Sequence, residues 1–488
     1  MDLMMYLAIS FMAVPLLVIL VVNLLPRAAA AKACIYFAGV AAVLQVAVAV
    51  SSFFILGASG QRTYAFALLW RMQPGTDTDS FAITHIALVL LLCIGMVSLV
   101  STFIANRTIT QRRIHYVNLL MTLMLGMNGM AISTDLFTLY VFMEITAVSS
   151  FIMIAMFKED ASLEGAFKYL VMSSVASIFI LTGLSFLFMK AGSLRYSAMD
   201  MSALLAGSPS QSVLIYVAFI LLLAGFCIKS GAVPFHSWLP DAHQSADTAI
   251  SVLLSGVVIK AAGIYGLITI TKLFGELPAI RLSLAVIGTV SIIAGALLAL
   301  RQNHFKRILA YSSVSQMGYI LLGLSAGSTL GLLGVTAHIF SHAMFKSTLF
   351  SNAAALHEQT GTLDINEMGG LQKKMPITSF SSVVAFLSTA GMPPFAGFWS
   401  KLLIIMALWL CGSHAFACIA LVSSILTGAY FLRLQRKVFF GKLAPRYDAL
   451  TEVSGSIRFA QIMLTAVTIG AGLTFPLLIV YLQNLGLI

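Results

Sequence analysis

Apolar runs of roughly 20 residues recur from one end of this chain to the other, each long enough to cross the hydrocarbon core of a bilayer as a helix. In hydrocarbon every backbone N–H and C=O must be satisfied internally, which leaves such runs no stable form but the helix. About fourteen runs are predicted on length, centred near Pro15, Val43, Leu91, Leu125, Val148, Ile178, Leu222, Val258, Ala294, Gly318, Phe340, Leu402, Leu426 and Ala471. The stretch after Pro376 contains Pro393 and Pro394 and reads as one interrupted helix. Only 9% of residues are charged, against about 25% in soluble domains. The polar stretches near 58–80, 190–210, 357–376 and 441–457 are too short to carry cores of their own. The fold class is therefore all-α and integral to the membrane. The first run lacks a small-residue cleavage site and is expected to remain as a helix, with no amphipathic arm expected after the last.

A formal charge of +11 invites a nucleic-acid reading, but its distribution excludes one. Assigned to alternate loops, one side collects Arg27, Lys32, Arg107, Arg112, Arg113, Lys158, Arg301, Lys306, Arg307, Lys373, Lys374 and the cluster from Arg433 to Arg458. The other side holds Arg62, Arg71, Lys190, Arg195, Lys272 and Arg281. A roughly threefold bias is what the positive-inside rule produces. The first set is expected in the cytoplasm, with both termini on the outer side of the cell's inner membrane. The basic charge is thus topology, and the lipid bilayer is the surface it serves. The five cysteines lie scattered in apolar runs without CxxC spacing, as small packing residues do. They cannot build an iron–sulfur or haem site, so no cofactor is expected in this chain and any electron transfer belongs to another protein.

Against that background five charges stand inside apolar runs: Glu144, Lys229, Lys260, Lys346 and Lys401. A charge at membrane depth costs several kcal/mol unless it is paired, hydrated or neutralised, and it marks an ion path by default. Glu144 lies about nine residues in from Asp135, roughly 14 Å along a helix and near mid-bilayer. It is either a neutral acid bonded between helices or one half of an ion pair, and Lys229 is its natural partner. In GFCIKSGAVPFHSWLPDAH, Pro234 leaves the Ser230 carbonyl beside Lys229 without its helical donor. Pro393 and Pro394 do the same to Thr389 and Ala390, shortly before Lys401. Freed backbone at this depth is tolerated where protein or water satisfies it, and paired helix breaks point to an ion site. Proline kinks serving packing alone are the plainer alternative.

Lys260 lies about a dozen residues from either end of its run, too deep for its stem to snorkel out, with Gly256 and Gly263 on either side. Those glycines permit close helix approach or a local opening for water. In AHIFSHAMFKSTLF, His338, His342 and Lys346 recur every fourth residue and form one helical stripe of titratable groups, an arrangement suited to passing protons. The spacing also admits zinc, but no HExxH or acidic third ligand accompanies it, so no metal site is expected. His236, Asp241 and His243 in PFHSWLPDAH are candidates for proton entry toward Lys229, while Asp241 and the prolines serve equally well to lock a tight loop. Asp135, Asp247, Glu164 and Lys168 are candidate supporting or interface charges.

At these residues the chain resembles the antiporter-like membrane subunits shared by respiratory complex I, membrane-bound hydrogenase and formate complexes, and Mrp sodium/proton antiporters. The matching pieces are Glu144, KSGAVPFHSWLPDAH around Lys229, SGVVIKAAGIYGL around Lys260, HxxxHxxxK from His338 to Lys346, and GMPPFAGFWSK ending at Lys401. They run in order over most of residues 110–410. The resemblance implies fourteen transmembrane helices: helices 1–3 in 1–109, two inverted five-helix repeats with discontinuous helices in 110–275 and 276–440, and a loop and last helix in 441–488. It implies a hydrated axis on which Glu144 and Lys229 switch, Lys260 relays, and His338, His342 and Lys346 lead toward Lys401. Lysine at both 260 and 401 is similar to the D-type member of Mrp antiporters, or to the subunit that docks a hydrogenase or formate module. Asp247, in HQSADTAIS, stands where relatives commonly carry a proline-containing stretch.

The reading is a proton-translocating subunit of a multi-subunit complex, in contact with other membrane subunits and a peripheral redox module that holds iron–sulfur and other redox cofactors. The alternatives are the D-type component of an Mrp sodium/proton antiporter without redox chemistry, and a scaffold whose buried charges only fix helix register.

Overall fold

A computed structural model describes residues 2–59, 63–66, 81–200, 204, 209–275, 277–453 and 455–484. Arg62 and Arg71 of the topology argument lie outside them. The chain is an all-α, multi-pass membrane fold, and each of the fourteen expected centres falls inside a helix. The helices are α1 (Asp2–Leu24), α2 (Arg27–Ala58), α3 (His85–Thr108), α4 (Arg113–Ile132), α5 (Leu136–Ile154), α6 (Asp160–Ala191), α7 (Pro209–Ser230) and α8 (Trp238–Ser245). There follow α9 (Thr248–Phe274), α10 (Pro278–Arg301), α11 (Phe305–Ser325), α12 (Thr329–Thr360), α13 (Pro376–Ala390), α14 (Ala396–Leu410), α15 (His414–Val438) and α16 (Ser456–Asn484). Among the described residues eleven helices are long and apolar enough to cross a membrane. Of the other five, α8, α13 and α14 are short, while α4 and α12 are largely walled by other helices, so they can carry Asn128, His338, His342, Lys346 and Asn352.

One element was not expected. β1 (Thr63–Phe66) pairs antiparallel with β2 (Phe81–Thr84), which leads straight into α3.

Both anticipated breaks are present, but a glycine makes each stop. α7 ends on Gly231 at φ 70°, where Gly231 N–H donates to Ile228 O (3.1 Å) and Ala232 N–H to Cys227 O (3.0 Å). α13 ends the same way on Gly391 at φ 83°, with Gly391 N–H to Ser388 O (3.1 Å) and Met392 N–H to Leu387 O (2.9 Å). This paired bonding consumes the last-turn carbonyls and needs a left-handed residue, which glycine alone adopts cheaply. Pro234 and Pro393 follow the stop rather than cause it. Elsewhere small residues bring helices together: a Cβ on Gly318 of α11 would collide with the Gly288 carbonyl of α10.

Candidate functional site

The sequence-predicted charges assemble into a buried chain of groups across the middle of the fold. It starts at Lys229, in the last turn of α7. Its ammonium donates to Glu144 Oε1 of α5 at 3.1 Å, to Ser173 Oγ of α6 at 2.7 Å and to Ser177 Oγ at 3.3 Å. Ser177 also donates to Glu144 Oε1 at 2.5 Å. The lysine side chain is 1% exposed and the carboxylate 31%, so the cation lies inside and the anion reaches the flank of the chain. Of the two readings left open for Glu144, the ion pair is the one the geometry forms. Ser173 and Ser177 went unread in the sequence, although their i,i+4 spacing on α6 was the available signal.

Lys260 sits where α9 widens into two π-helical stretches, Leu254–Val258 and Lys260–Tyr265. Such turns misalign backbone partners and cluster at functional sites. The Lys260 ammonium donates back to the Ser255 carbonyl and to the Gly256 carbonyl at 2.6 Å. Both flanking glycines serve close approach: a Cβ on Gly263 would collide with the Ser230 backbone beside Lys229, and one on Gly256 would lie 2.5 Å from Val97 Cγ1. The same Cβ on Gly256 would lie 3.1 Å from Ser347 Oγ of α12, so this stretch packs on the histidine-bearing helix next to Lys346.

The histidine stripe is intact on α12, and its order relative to Lys401 differs from the sequence order. His338 Nδ1 pairs with Ser400 Oγ at 2.9 Å, next to Lys401, and the His338 and His342 rings are 6.3 Å apart. Lys346 lies at the other end, donating to Leu309 O (2.8 Å) and Ser312 Oγ of α11. Among the described residues His338 Nε2, both nitrogens of His342 and the Lys401 ammonium have no hydrogen-bond partner in the protein. Buried polar atoms of this kind are ordinarily satisfied by water. Lys401 lies instead over the Tyr319 ring, 4.2 Å from its centroid, a favourable cation–π placement.

The three loop residues separate. Asp241 bridges two helices, accepting from Lys168 of α6 at 2.8 Å and Arg307 of α11 at 2.7 Å. Burial disfavours its charged form, but the hydrogen bonds from Lys168 and Arg307 outweigh it and hold the carboxyl below its usual range. His236 is half-buried, its ring 6.1 Å from that of Tyr311. His243 is buried, stacked on Phe350 at 4.9 Å. Phe350 lies one turn beyond Lys346 on α12, so the His243 ring sits against the helix that carries Lys346. Asp247 caps α9, accepting from Ala249 N–H at 2.8 Å and Thr108 Oγ1 at 3.0 Å, the work a helix start requires. Lys306, counted in the sequence among the cytoplasmic charges, is in fact buried and donates to Ala246 O at 2.6 Å.

No cluster of three or more His, Cys, Asp or Glu side chains able to hold a metal occurs among the described residues. The five cysteines are unpaired.

A family profile described as NADH:quinone oxidoreductase/Mrp antiporter, TM, matches residues 133–427. NADH-quinone oxidoreductase subunit N of Desulforudis audaxviator is 35% identical over 312 residues, which cover 63% of this chain and 62% of that one. The chain thus spans less than two thirds of that relative. The D component of the Na(+)/H(+) antiporter of Alkalihalophilus pseudofirmus is 30% identical over 390 residues, covering 79% and 78%. Among solved structures, the membrane-bound sulfane sulfur reductase, an archaeal respiratory membrane complex, has a chain that superposes with a TM-score of 0.85 at 27% identity, covering 98% of this chain and 96% of that one.

Proposed function

Since the chain belongs to the NADH:quinone oxidoreductase/Mrp antiporter transmembrane family, we propose that it moves protons along the buried groups from Glu144 to Lys401 within a multi-subunit, redox-driven complex. The observation that carries this reading is the Glu144–Lys229 pair, an ammonium buried on the inside and held by a carboxylate that reaches the flank.

While the pair is closed, the carboxylate neutralises Lys229. When Glu144 is drawn away or protonated, the bare ammonium repels its nearest cationic neighbours through a low-dielectric interior, where a unit charge is weakly screened. Lys260 then gives up a proton toward His342, His338 and, past Ser400, Lys401. Lys346, at the far end of the stripe, is a second acceptor for that proton and passes it on. Entry runs through His236 and His243, and Asp241 clamps the entry loop to α6 and α11. Iron–sulfur and other redox cofactors belong to partner subunits, with a peripheral module supplying the drive.

The wider architecture of this reading has fourteen crossings, α7–α8 and α13–α14 each counting as one. Residues 110–275 and 276–440 form two inverted five-helix repeats between helices 1–3 (1–109) and the last helix (441–488). The parallel glycine-capped breaks support the repeat. The excess of Lys and Arg in alternate loops supports cytoplasmic loops on that side and both termini outside.

Reconstituting the assembled complex with Glu144→Gln or Lys229→Ala tests the proposal. Pumping per complex falls to background if it holds, and undiminished pumping sinks it. The 30% identity to a component of a Na(+)/H(+) antiporter favours a second reading, a cation/proton antiporter subunit without redox chemistry. Copurified iron–sulfur proteins decide for the first, and their absence from an active complex for the second.

A further inference from the structure

Lys346 and Lys401 are joined by the histidine stripe of α12 on one side, and a second set of buried polar groups faces them from the other. Ser312, Gln316 and Tyr319 recur at i, i+4 and i+7 on α11, all fully buried. The Ser312 hydroxyl accepts from the Lys346 ammonium, and the Tyr319 ring underlies Lys401. The stretch of α11 between Ser312 and Tyr319 is about 10 Å long, comparable with the roughly 12 Å from Lys346 to His338 on α12.

Opposite them, α15 presents Thr427 and Tyr430, also buried. That helix is docked on α11 by the Tyr319 hydroxyl, which donates to Ala420 O at 2.9 Å, and it carries the buried Tyr430 hydroxyl. Yet among the described residues neither that hydroxyl nor either amide atom of Gln316 closes a hydrogen bond within the protein. Lys346 also lies 6.0 Å from the ring centroid of Phe431, the residue after Tyr430, so the lysine and this pocket share a wall. Leaving three buried polar atoms unmet costs about 1–3 kcal/mol each, and packing alone would be served as well by Leu and Phe. A row of hydroxyls with an amide between two lysines is what a water-bridged proton connection requires.

We propose that Ser312, Tyr430, Gln316 and Thr427 form a second proton connection between Lys346 and Lys401, parallel to the histidine stripe. This rests on the proposed function and adds residues to it. In each passage Lys346 goes from ammonium to amine and Lys401 from amine to ammonium. Each hydroxyl accepts one proton as it releases another and ends neutral, while the Gln316 amide orients the bridging water and is a positioning residue.

The test uses the assembled complex in proteoliposomes with proton flux per complex as readout. Tyr430→Phe removes one oxygen that no protein group binds, and Gln316→Met keeps the side-chain length. Each lowers flux at least threefold, and Gln316→Glu, which restores a polar, water-binding group, recovers at least half of it. A role in packing alone predicts that Glu does no better than Met. Wild-type flux in both Tyr430→Phe and Gln316→Met, with Lys401→Ala silent, overturns the second connection and leaves the proposed function standing. Should Tyr430→Phe not assemble, the two Gln316 variants decide. Wild-type flux in Lys401→Ala removes the proposed function itself, and this inference with it.

Discussion

Removing the charge from Glu144 leaves a lysine 1% exposed whose other acceptors among the described residues are two neutral serine hydroxyls. Breaking a fully buried pair in this way costs about 3–5 kcal/mol, whereas an exposed pair is worth about 0–1 kcal/mol. Glu144 lies between these limits at 31% exposed, and the serines keep part of the ammonium's solvation. Glu144→Gln is therefore expected to destabilise by about 2–3 kcal/mol, toward the buried limit. Lys229→Met should cost less, because the freed carboxylate keeps Ser177 and some solvent. If the two groups act as a pair, the double variant is less damaged than the sum by about 2 kcal/mol, roughly a 30-fold difference in the unfolding equilibrium. Chemical unfolding of the four proteins in mixed detergent measures this coupling. Strict additivity of the single variants would refute the reasoning, since two groups that do not interact have no coupling energy to lose.

Two further outcomes follow from the geometry. Gly263→Ala drives a methyl into the Ser230 backbone, which cannot swing aside as a side chain can; a loss of about 1–3 kcal/mol should appear in the same unfolding assay, whereas Gly428→Ala, with open space around it, should be near neutral. Asp241, whose folded carboxyl titrates below its usual range, contributes stability at pH values above its unfolded value, and that contribution is lost as pH falls through the folded one; hydrogen exchange of Trp238–Ser245 should rise in acid in the native protein and stay flat over that interval in Asp241→Asn.

Charge burial was the legible part of the site, because four lysines and a glutamate cannot hide in apolar runs. Their neutral partners were not legible. Ser177 binds its own helix at Ser173 O (2.8 Å) as well as Glu144, and a serine that does only the first gives the same sequence. The π-turns around Lys260 leave no side-chain signature beyond small residues, which ordinary helix packing also selects. The breaks announced themselves through proline, the louder signal, while Gly231 and Gly391 set where the helices end. The burial of Lys306 is not legible because one residue of offset at a helix start separates a loop charge from a buried one. The hairpin is not legible because its two strands are only four residues each and border a polar stretch.

The two glycine stops also make the ends of the line unequal. Lys229 lies in the last turn of its half-helix, the end at which the aligned peptide dipoles leave partial negative charge. Lys401 lies six residues into the opposite kind of half-helix, and its stem turns back against Gly391, toward an N-terminus of partial positive charge. Each such terminus shifts the energy of a nearby cation by about 0.3–1 kcal/mol, and by up to about 2 kcal/mol when partly buried. The backbone thus makes the two ends unequal before any side chain moves: a positive charge is favoured by the helix end at Lys229 and disfavoured by the one at Lys401, which is what the proposed path asks of an end that releases its proton.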